Sequence, residues 1–131
     1  MKKKLIIVTG GTKGIGLAIA KEFLANEWKV IIAGRSEPSF YKKNKNKNLK
    51  FFKMNVRFEI DHVSLFKEAI KWNKSIDCLV NCAGVSSWRP IKLVDNSFVD
   101  MIFETNIKSV IWSCKQASTF MKAGSSIINM S

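Results

Sequence analysis

The stretch LIIVTGGTKGIG, residues 5–16, places a short apolar run directly before a glycine-rich turn. The run Leu5–Thr9 is rich in β-branched residues and is closed by glycines, which is typical of a strand buried on both faces of a sheet. After the turn, apolar residues recur at the spacing of one helix face, at Ile15, Ile19, Phe23 and Leu24. The stretch therefore predicts a buried strand, a tight turn and a helix that ends near Asn26.

The same alternation of strand and helix continues along the sequence. Apolar runs predict further strands over residues 29–34, 49–56, 76–84 and 125–130. Between them, helical periodicity predicts a short helix after Pro38, a helix capped by Asp61, and a long helix from Phe98 that ends at Gly124. A capping box at Ser97 and Asp100 is expected to begin the long helix. These elements predict one α/β domain over residues 1–131, a Rossmann-like, doubly wound parallel sheet with strand order 3-2-1-4-5.

The charge of the chain is strongly positive and unevenly distributed. There are 22 Lys and Arg against 10 Asp and Glu, which gives a formal net charge of +12. Six lysines fall in one stretch without an acidic residue: Lys42, Lys43, Lys45, Lys47, Lys50 and Lys53. We interpret this stretch as a solvated connection and do not expect nucleic-acid binding, because no DNA- or RNA-binding motif accompanies it. A weak, salt-sensitive affinity for polyanions stays open.

Neither secretion nor membrane insertion is expected from the sequence. Three lysines before residues 5–8 imitate a signal peptide, but the apolar run is shorter than the roughly 7 to 15 residues that a signal requires. No stretch is long and apolar enough to span a bilayer. The cysteines, Cys78, Cys82 and Cys114, form no CxxC pair and suit reduced thiols, and no metal site is expected. These features predict a cytoplasmic protein.

The turn after the first strand is a candidate phosphate site. Gly10, Gly14 and Gly16 lie between a predicted strand and a predicted helix, where glycine permits close backbone approach and free N–H groups attract an anion. An ordinary glycine-rich turn explains the glycines alone equally well. Three further segments decide between the two readings: NCAG at residues 81–84, TNIKSV at 105–110 and GSSIINMS at 124–131.

With the T-G-x-x-x-G-x-G pattern of residues 9–16, these segments resemble the short-chain dehydrogenase/reductase family, in order and over essentially the whole chain. The resemblance implies a nicotinamide dinucleotide cofactor and hydride transfer between a carbonyl and an alcohol. It implies that the cofactor pyrophosphate is held by Gly10, Thr12, Gly14, Ile15 and Gly16. Beside the adenosine it places Asn55, Val56, Asn81, Ala83 and Gly84, and it gives Asn106 a role in supporting the catalytic lysine. Cys82 and Asn55 depart from the family pattern, which usually has Asn and Asp there.

The choice between the two nicotinamide cofactors follows from charge. A free ribose 2′-OH is usually held by an acidic residue at the end of the second strand, whereas this sequence has Gly34 and Arg35 there and no carboxylate before Glu37. Arg35 and Lys13 would suit a 2′-phosphate, since charge-assisted hydrogen bonds to phosphate are strong. We therefore expect NADP(H) to be preferred over NAD(H), the alternative being that both residues are solvated surface cations.

The catalytic residues of the family are not found. The only tyrosine, Tyr41, belongs to the lysine-rich connection, and Ser131 is expected to fall one position before the catalytic serine. The chain therefore resembles the cofactor-binding front half of a reductase, truncated after strand five and inactive by itself. The alternative is a non-catalytic dinucleotide-binding or interaction module. In neither case does the sequence indicate a substrate.

Association is expected from the same interpretation. A fifth strand at the sheet edge would leave Val80, Ile127 and Ile128 without cover, and the helix from Phe98 would lack a packing neighbour. We expect a homo-oligomer formed through strand five, that helix, or both; a frayed monomer is the alternative. The tryptophans, Trp28, Trp72, Trp88 and Trp112, are interpreted as packing residues.

Overall fold

The fold is an alternation of five strands and five α-helices, seen in a computed structural model that describes residues 2–131. The strands are β1 (Leu5–Thr9), β2 (Lys29–Gly34), β3 (Leu49–Lys53), β4 (Cys78–Asn81) and β5 (Ser126–Asn129). The helices are α1 (Gly14–Ala25), α2 (Ser39–Lys43), α3 (Glu59–Asn73), α4 (Asn96–Phe103) and α5 (Ser109–Phe120). A 3₁₀ turn lies at Ile91–Leu93, and a π-helical turn, Glu104–Lys108, joins α4 to α5.

All neighbouring strands are parallel, in the order β3-β2-β1-β4-β5, which confirms the predicted topology. β1 lies at the centre and pairs with β2 on one side and β4 on the other. All five of its residues are buried, as expected for a strand covered on both faces. β5 pairs only with β4 among residues 2–131 and forms one edge.

Alternate residues of the central strands feed two separate cores. Ile6 and Val8 pack on the side covered by α1, whereas Leu5 and Ile7 pack on the side covered by α3 and α5. Leu65 and Phe66 of α3 complete the second core, and both are fully buried. Because alternate residues point to opposite faces and both faces are covered, the apolar residues of the central strands are consecutive, and the strands appear in the sequence as continuous hydrophobic runs.

The predicted strands were too long at their carboxyl ends. β3 ends at Lys53 rather than residue 56, and β4 ends at Asn81 rather than residue 84. The Met54 N–H still bonds to the Gly34 carbonyl, but β2 ends there and offers no further partner. At the end of β4 the Cys82 N–H still reaches the Thr9 carbonyl, at 3.2 Å, but the Ala83 N–H bonds to the Thr9 side chain instead of continuing the ladder, as described below.

Two predicted helix caps were wrong. α3 begins at Glu59 after Phe58, and the carboxylate of Asp61, within its first turn, accepts the Asn55 N–H at 2.8 Å instead of capping the helix. α4 begins at Asn96, and its cap is Asp95, whose carboxylate accepts the Phe98 N–H at 2.9 Å. Ser97, the predicted cap, is therefore the second residue of α4 and lies two positions after the observed cap.

The long predicted helix is interrupted rather than regular. The π-helical turn Glu104–Lys108 separates α4 from α5 without ending the helical path, and α5 ends at Phe120, four residues before Gly124. Gly124 instead has φ of 93° in the turn before β5, a conformation that favours glycine. π-Helical turns are rare in proteins as a whole, and those that occur are often found at functional sites.

The surface also differs from expectation at two residues. Trp88 is 85% exposed and does not pack, whereas Trp28 and Trp72 pack against the two cores as predicted. Val80 is buried, so the exposed apolar side chains at the edge are those of β5 itself. No helix among residues 2–131 is both long and apolar enough to cross a membrane.

His62, the chain's only histidine, is completely buried in α3. Its Nε2 lies 2.8 Å from the Val56 carbonyl oxygen, so Nε2 carries the proton, and its Nδ1 has no partner in the described structure. Burial lowers the pKa of His62, partly opposed by the Val56 hydrogen bond and by the charges of Asp61 and Glu59. The folded chain therefore holds His62 neutral.

This arrangement predicts a stability that falls in mild acid. The unfolded chain titrates His62 near its ordinary pKa of 6.5, and the folded chain titrates it lower. As the pH falls through 6.5, the unfolded chain binds a proton at His62 that the folded chain does not, so the free energy of unfolding decreases. We expect the Tm to fall between about pH 7.5 and about pH 5.5, above the range in which most carboxylates titrate.

Thermal unfolding of His62→Gln provides the control. The glutamine amide can replace the Nε2 donor but does not titrate, so its Tm should be nearly constant across the same window. A wild-type Tm that is equally constant, or a glutamine variant with the same slope, would contradict this role of His62.

Candidate functional site

The candidate site lies at the carboxyl edge of the sheet, where the turns after β1, β2, β3 and β4 meet. Because the strands are parallel, these turns share one edge, and in open α/β sheets ligands bind outside the carboxyl ends of the strands. The crevice lies between β1 and β4. From β1 the chain proceeds outward to β2 and β3 on one side, and from β4 it proceeds outward to β5 on the other. Most of the residues implied by the resemblance are thereby brought to one place.

The turns after β1 and β4 are in direct contact. Gly10 has φ of 65°, and a Cβ on it would lie 2.7 Å from both the Cα and the N of Ala83. The buried Thr9 hydroxyl accepts the N–H groups of Cys82 and Ala83, each at 3.3 Å, and lies 3.5 Å from the Val80 carbonyl oxygen, to which it can donate. Thr9 thus attaches the NCAG turn to the end of β1, a role that sequence reasoning did not assign to it.

The glycine turn continues into the exposed beginning of α1. A Cβ on Gly16 would overlap the Gly10 carbonyl, so this position requires glycine, whereas Gly14 has open space and φ of 57°. Lys13 precedes the helix and makes no side-chain cap, and the first helical bond is from the Leu17 N–H to the Lys13 carbonyl, 3.2 Å. The helix therefore begins with uncapped N–H groups beside an exposed turn, which is favourable for an anion.

Arg35 and Lys13 lie on the same edge as the glycine turn, and both are exposed. Thr12 packs beneath the end of β2, where a Cβ on Gly34 would lie 2.7 Å from the Thr12 methyl group. This contact brings the glycine turn close to the residue before Arg35. Neither cation forms an ion pair within residues 2–131.

The turn after β3 is held by its own hydrogen bonds. The Asn55 side-chain oxygen accepts the Arg57 N–H at 3.0 Å, and the Val56 carbonyl accepts His62. The Val56 side chain is buried in the core, so it does not itself line the site. Asn55 is half-buried, and one lone pair of its oxygen is used within the turn.

Asn106 clamps the segment that follows the NCAG turn. Its side-chain oxygen accepts the Val85 N–H at 2.7 Å, and its Nδ2 donates to the Val85 carbonyl at 2.9 Å. It lies within the π-helical turn, and a Cβ on Gly84 would approach its oxygen to 3.3 Å. The mid-helix asparagine is therefore a positioning residue for this loop.

An ion pair that sequence reasoning missed joins the β3 turn to the π-helical turn. The Arg57 Nε and Nη2 donate to one Glu104 carboxylate oxygen at 2.8 and 2.6 Å. Arg57 follows Asn55 and Val56, and Glu104 precedes Asn106 by two residues. The partners are 47 residues apart, so no local pattern could reveal them. The ion pair therefore connects the turn after β3 with the π-helical turn that carries Asn106.

Asn81 and Cys82 lie at the carboxyl end of β4, beneath the site, whereas Cys78 lies at the opposite end of this strand. The Asn81 Nδ2 donates to the Asn129 oxygen at 2.8 Å, which joins β4 to β5 through side chains as well as through the backbone. Burial raises the pKa of Cys82, partly opposed by the Gly16 N–H beside its sulfur. Burial also raises the pKa of Cys78, with a further contribution from Asp77. Both thiols are therefore protonated near neutral pH.

Tyr41 lies away from these residues. It belongs to α2 and packs, partly buried, against the core on the α1 side of the sheet, with its ring centroid 6.0 Å from that of Phe51. Ser131 is exposed and follows β5 by two residues. The described geometry gives neither of them a contact with the glycine turn or with Asn106.

The residues present fit a dinucleotide in their chemistry. The uncapped start of α1 suits a pyrophosphate, the glycines leave the backbone accessible, and two exposed cations flank the turn. Among residues 2–131 there is no cluster of three metal-ligating side chains.

Comparisons with known proteins agree with this geometry. The sequence model described as "short chain dehydrogenase" matches residues 4–131. An NADP-dependent (R)-specific alcohol dehydrogenase from Lentilactobacillus kefiri is 30% identical over 138 residues, which covers 100% of this chain and 55% of that protein.

Solved structures show the same fold. The aldohexose dehydrogenase of Thermoplasma acidophilum superposes with a TM-score of 0.87 at 27% identity, over 99% of this chain and 49% of that one. A short-chain dehydrogenase/reductase from Brucella melitensis gives a TM-score of 0.90 at 23% identity, over 98% of this chain and 58% of that one. The chain spans about half the length of such relatives. It belongs to the short-chain dehydrogenase/reductase family.

Proposed function

We propose that the protein is an NADP(H)-dependent oxidoreductase that transfers hydride between the cofactor and a carbonyl or alcohol, and that residues 1–131 form its cofactor-binding part. The observation that carries this proposal is the close contact between the Gly10 turn and the NCAG turn at the crevice between β1 and β4. Three unpaired cysteines suit a reducing compartment, and we propose a cytoplasmic location.

Each part of the site has a proposed task in cofactor binding. Gly10, Thr12, Gly14, Ile15 and Gly16 hold the pyrophosphate, chiefly through the N–H groups at the start of α1. Asn55, with the backbone of Val56 beside it, borders the adenine, and Asn81, Ala83 and Gly84 border the adenosine ribose. Asn106 keeps the loop after Gly84 in place through Val85. When bound, the nicotinamide supplies or accepts the hydride.

The preference for NADP(H) is supported by two unpaired cations. Arg35 follows β2 at the position where an acidic residue would select a free 2′-OH, and Lys13 lies on the adjoining turn. The planar guanidinium of Arg35 suits a 2′-phosphate, which it can bind with two parallel hydrogen bonds. The similar alcohol dehydrogenase from Lentilactobacillus kefiri is named as NADP-dependent.

A second function, a non-catalytic dinucleotide-binding module, is supported by the position of Tyr41. The only tyrosine of the 131 residues belongs to α2 and packs, partly buried, against the core there, so it is not placed to exchange a proton with a substrate at this site. Both proposals have the same cofactor site. They differ in whether a proton donor lies beside that site, as it must in the oxidoreductase.

We also propose that the chain forms a homo-oligomer through β5 and the helix from Phe98. Phe103, Ile107 and Ile111 recur every four residues along this helical path and are 52, 48 and 54% exposed. Ile127 and Ile128 of β5 are each 45% exposed, one on each face of an edge strand. Apolar side chains and unpaired edge groups of this kind favour pairing with a second copy.

Cofactor choice is tested by titrating the chain with NADPH and NADH. We expect NADPH to bind more tightly, and the double variant Arg35→Ala/Lys13→Ala to weaken NADPH binding by about 10-fold or more, because charge-assisted hydrogen bonds to the 2′-phosphate are lost. NADH binding should change little.

Two variants control this titration. Lys67→Ala removes an exposed cation from α3, away from the glycine turn, and should leave both affinities unchanged. Gly16→Ala should abolish binding of both cofactors, since its Cβ would displace the Gly10 carbonyl. Tighter binding of NADH by the wild type would refute the proposed preference.

Activity is tested with the 131-residue chain and a panel of carbonyl substrates. We expect NADPH to bind without being oxidised above the rate in the absence of protein, because Tyr41 is not at the site and a positioned proton donor typically contributes about 10²–10⁴-fold. Reduction of a carbonyl by the purified chain that persists in Tyr41→Phe would show that another residue donates the proton.

Association is tested by sedimentation velocity at micromolar concentration. We expect a dimer or larger species, and dissociation in Ile111→Glu if the helix forms the interface or in Ile128→Glu if the strand does. Ile91→Glu, at a position 84% exposed outside both surfaces, is the matched control. A monomeric wild type would refute the proposed homo-oligomer.

A further inference from the structure

A basic depression lies at the amino end of the strands, opposite the cofactor site. It has a volume of about 490 Å³, and besides Asn48 and Asn73 it is lined by four lysines and a tryptophan: Lys2, Lys3, Lys29, Lys47 and Trp72. We call these five residues the basic edge. Their segments come immediately before β1, before β3, at the start of β2 and at the end of α3, so the fold brings together lysines that are far apart in sequence.

The charge of the basic edge is not neutralised by the protein. Within residues 2–131, none of its lysines forms an ion pair. Glu27 and Asp77 are also on this side, but neither lines the depression, and the Asp77 carboxylate accepts the Leu5 N–H at 2.8 Å. Like charges gathered without counter-charges oppose folding, and a bound anion would relieve this repulsion.

The lysine-rich connection contributes to the basic edge in an ordered way. The side-chain oxygen of Asn44 accepts the Asn46 N–H at 2.8 Å, and that of Asn46 accepts the Asn48 N–H at 2.9 Å. The asparagines therefore shape the backbone, while the intervening Lys45 and Lys47 stay exposed. The low-complexity stretch thus has a defined conformation and presents its lysines to solvent.

The remaining wall is built around Trp72 and Asn73. The Lys29 ammonium donates to the Trp72 carbonyl at 3.3 Å and lies 4.9 Å from the centroid of its ring. The Lys50 ammonium lies 4.7 Å from the same ring. The buried Asn73 side chain donates to the Lys3 carbonyl at 3.0 Å and so holds the amino-terminal segment in place. Two of the lysine-bearing segments are therefore anchored.

We propose that the basic edge is a binding site for an oligophosphate, a small anion that carries several linked phosphate groups. All its cations are lysines, which act as point charges and bind phosphate without the fixed geometry of an arginine fork. Four ammonium groups around one depression suit several phosphates held together, rather than a single carboxylate.

A small ligand fits the basic edge better than a nucleic acid. Sequence-independent binding of single strands uses aromatic rings on which bases stack, but the Trp72 ring already carries two ammonium groups. A nucleic-acid site also continues as a groove along the backbone, whereas a depression of about 490 Å³ has the volume of a small-ligand site. Nucleic acid is therefore an outcome that the test must be able to reveal.

The basic edge is separate from the proposed cofactor site. The five residues of β1 span about 16 Å between the two ends of the sheet, at about 3.3 Å per residue. A pyrophosphate bound at the glycine turn therefore does not reach these lysines. The proposal does not depend on the function of the opposite end.

The test is calorimetric titration of the 131-residue chain with inorganic tripolyphosphate at physiological salt. Lys2→Gln/Lys3→Gln/Lys47→Gln removes three charges and spares Lys29, which packs on Trp72. Lys67→Gln/Lys92→Gln/Lys122→Gln, with three exposed lysines elsewhere, is the matched control. We expect at least about 10-fold weaker binding in the first variant and less than about 3-fold in the second.

Two further arms identify the site and the ligand. Loss of tripolyphosphate binding in Arg35→Ala/Lys13→Ala alone would assign the binding to the glycine turn instead of the basic edge. The basic-edge variant should bind NADPH as the wild type does, which also shows that it folds. A single-stranded oligothymidylate serves as the nucleic-acid probe and should bind more weakly than tripolyphosphate.

Four results would overturn the proposal. They are no binding of tripolyphosphate by the wild type, equal losses in the two triple variants, loss in the Arg35/Lys13 variant alone, and tighter binding of the oligothymidylate that depends on the basic edge. The last result would assign the surface to nucleic acid instead.

Discussion

The contact between the backbones of Gly10 and Ala83 is the constraint on which the carboxyl edge of the sheet depends. A side chain on Gly10 would lie 2.7 Å from Ala83, so the turns after β1 and β4 can meet only because that side chain is absent. Gly16 approaches the Gly10 carbonyl in the same way, so the first turn of α1 also requires a residue without a side chain there. Thr9 then closes the arrangement by accepting two N–H groups of the NCAG turn.

The two ends of the sheet present positive charge by different means. At the carboxyl edge the pyrophosphate would meet N–H groups whose positions the backbone determines, with the cations Arg35 and Lys13 beside them, so this part of the surface is rigid. At the amino edge it comes from lysine ammonium groups on long side chains, several of them exposed, so a ligand would meet a surface that adapts. Rigid donors favour recognition of one geometry, whereas mobile cations favour recognition of total charge.

The sequence predicted what depends on local pattern and missed what depends on distant partners. The first helix and the glycine turn follow from apolar spacing and from glycine at residues 10, 14 and 16, and the strand order is the usual one for a doubly wound sheet with this alternation. The ends of β3 and β4 could not be predicted, because they are set by Gly34 and Thr9 on neighbouring strands. The Arg57–Glu104 pair and the burial of His62 likewise join segments that share no local signal. The roles implied for Asn55 and Asn106 in cofactor binding and catalysis stay predictions.

The π-helical turn at Glu104–Lys108 also affects how this chain can be compared with others. A π-helical turn holds one more residue than an α-helical turn, and one residue corresponds to a rotation of about 100° around the axis. A homologous helix without that residue would align with a one-position gap between Phe103 and Ser109. An ungapped alignment would match inward-facing residues of α5 to outward-facing ones, and conservation scores computed across it would then mix core with surface.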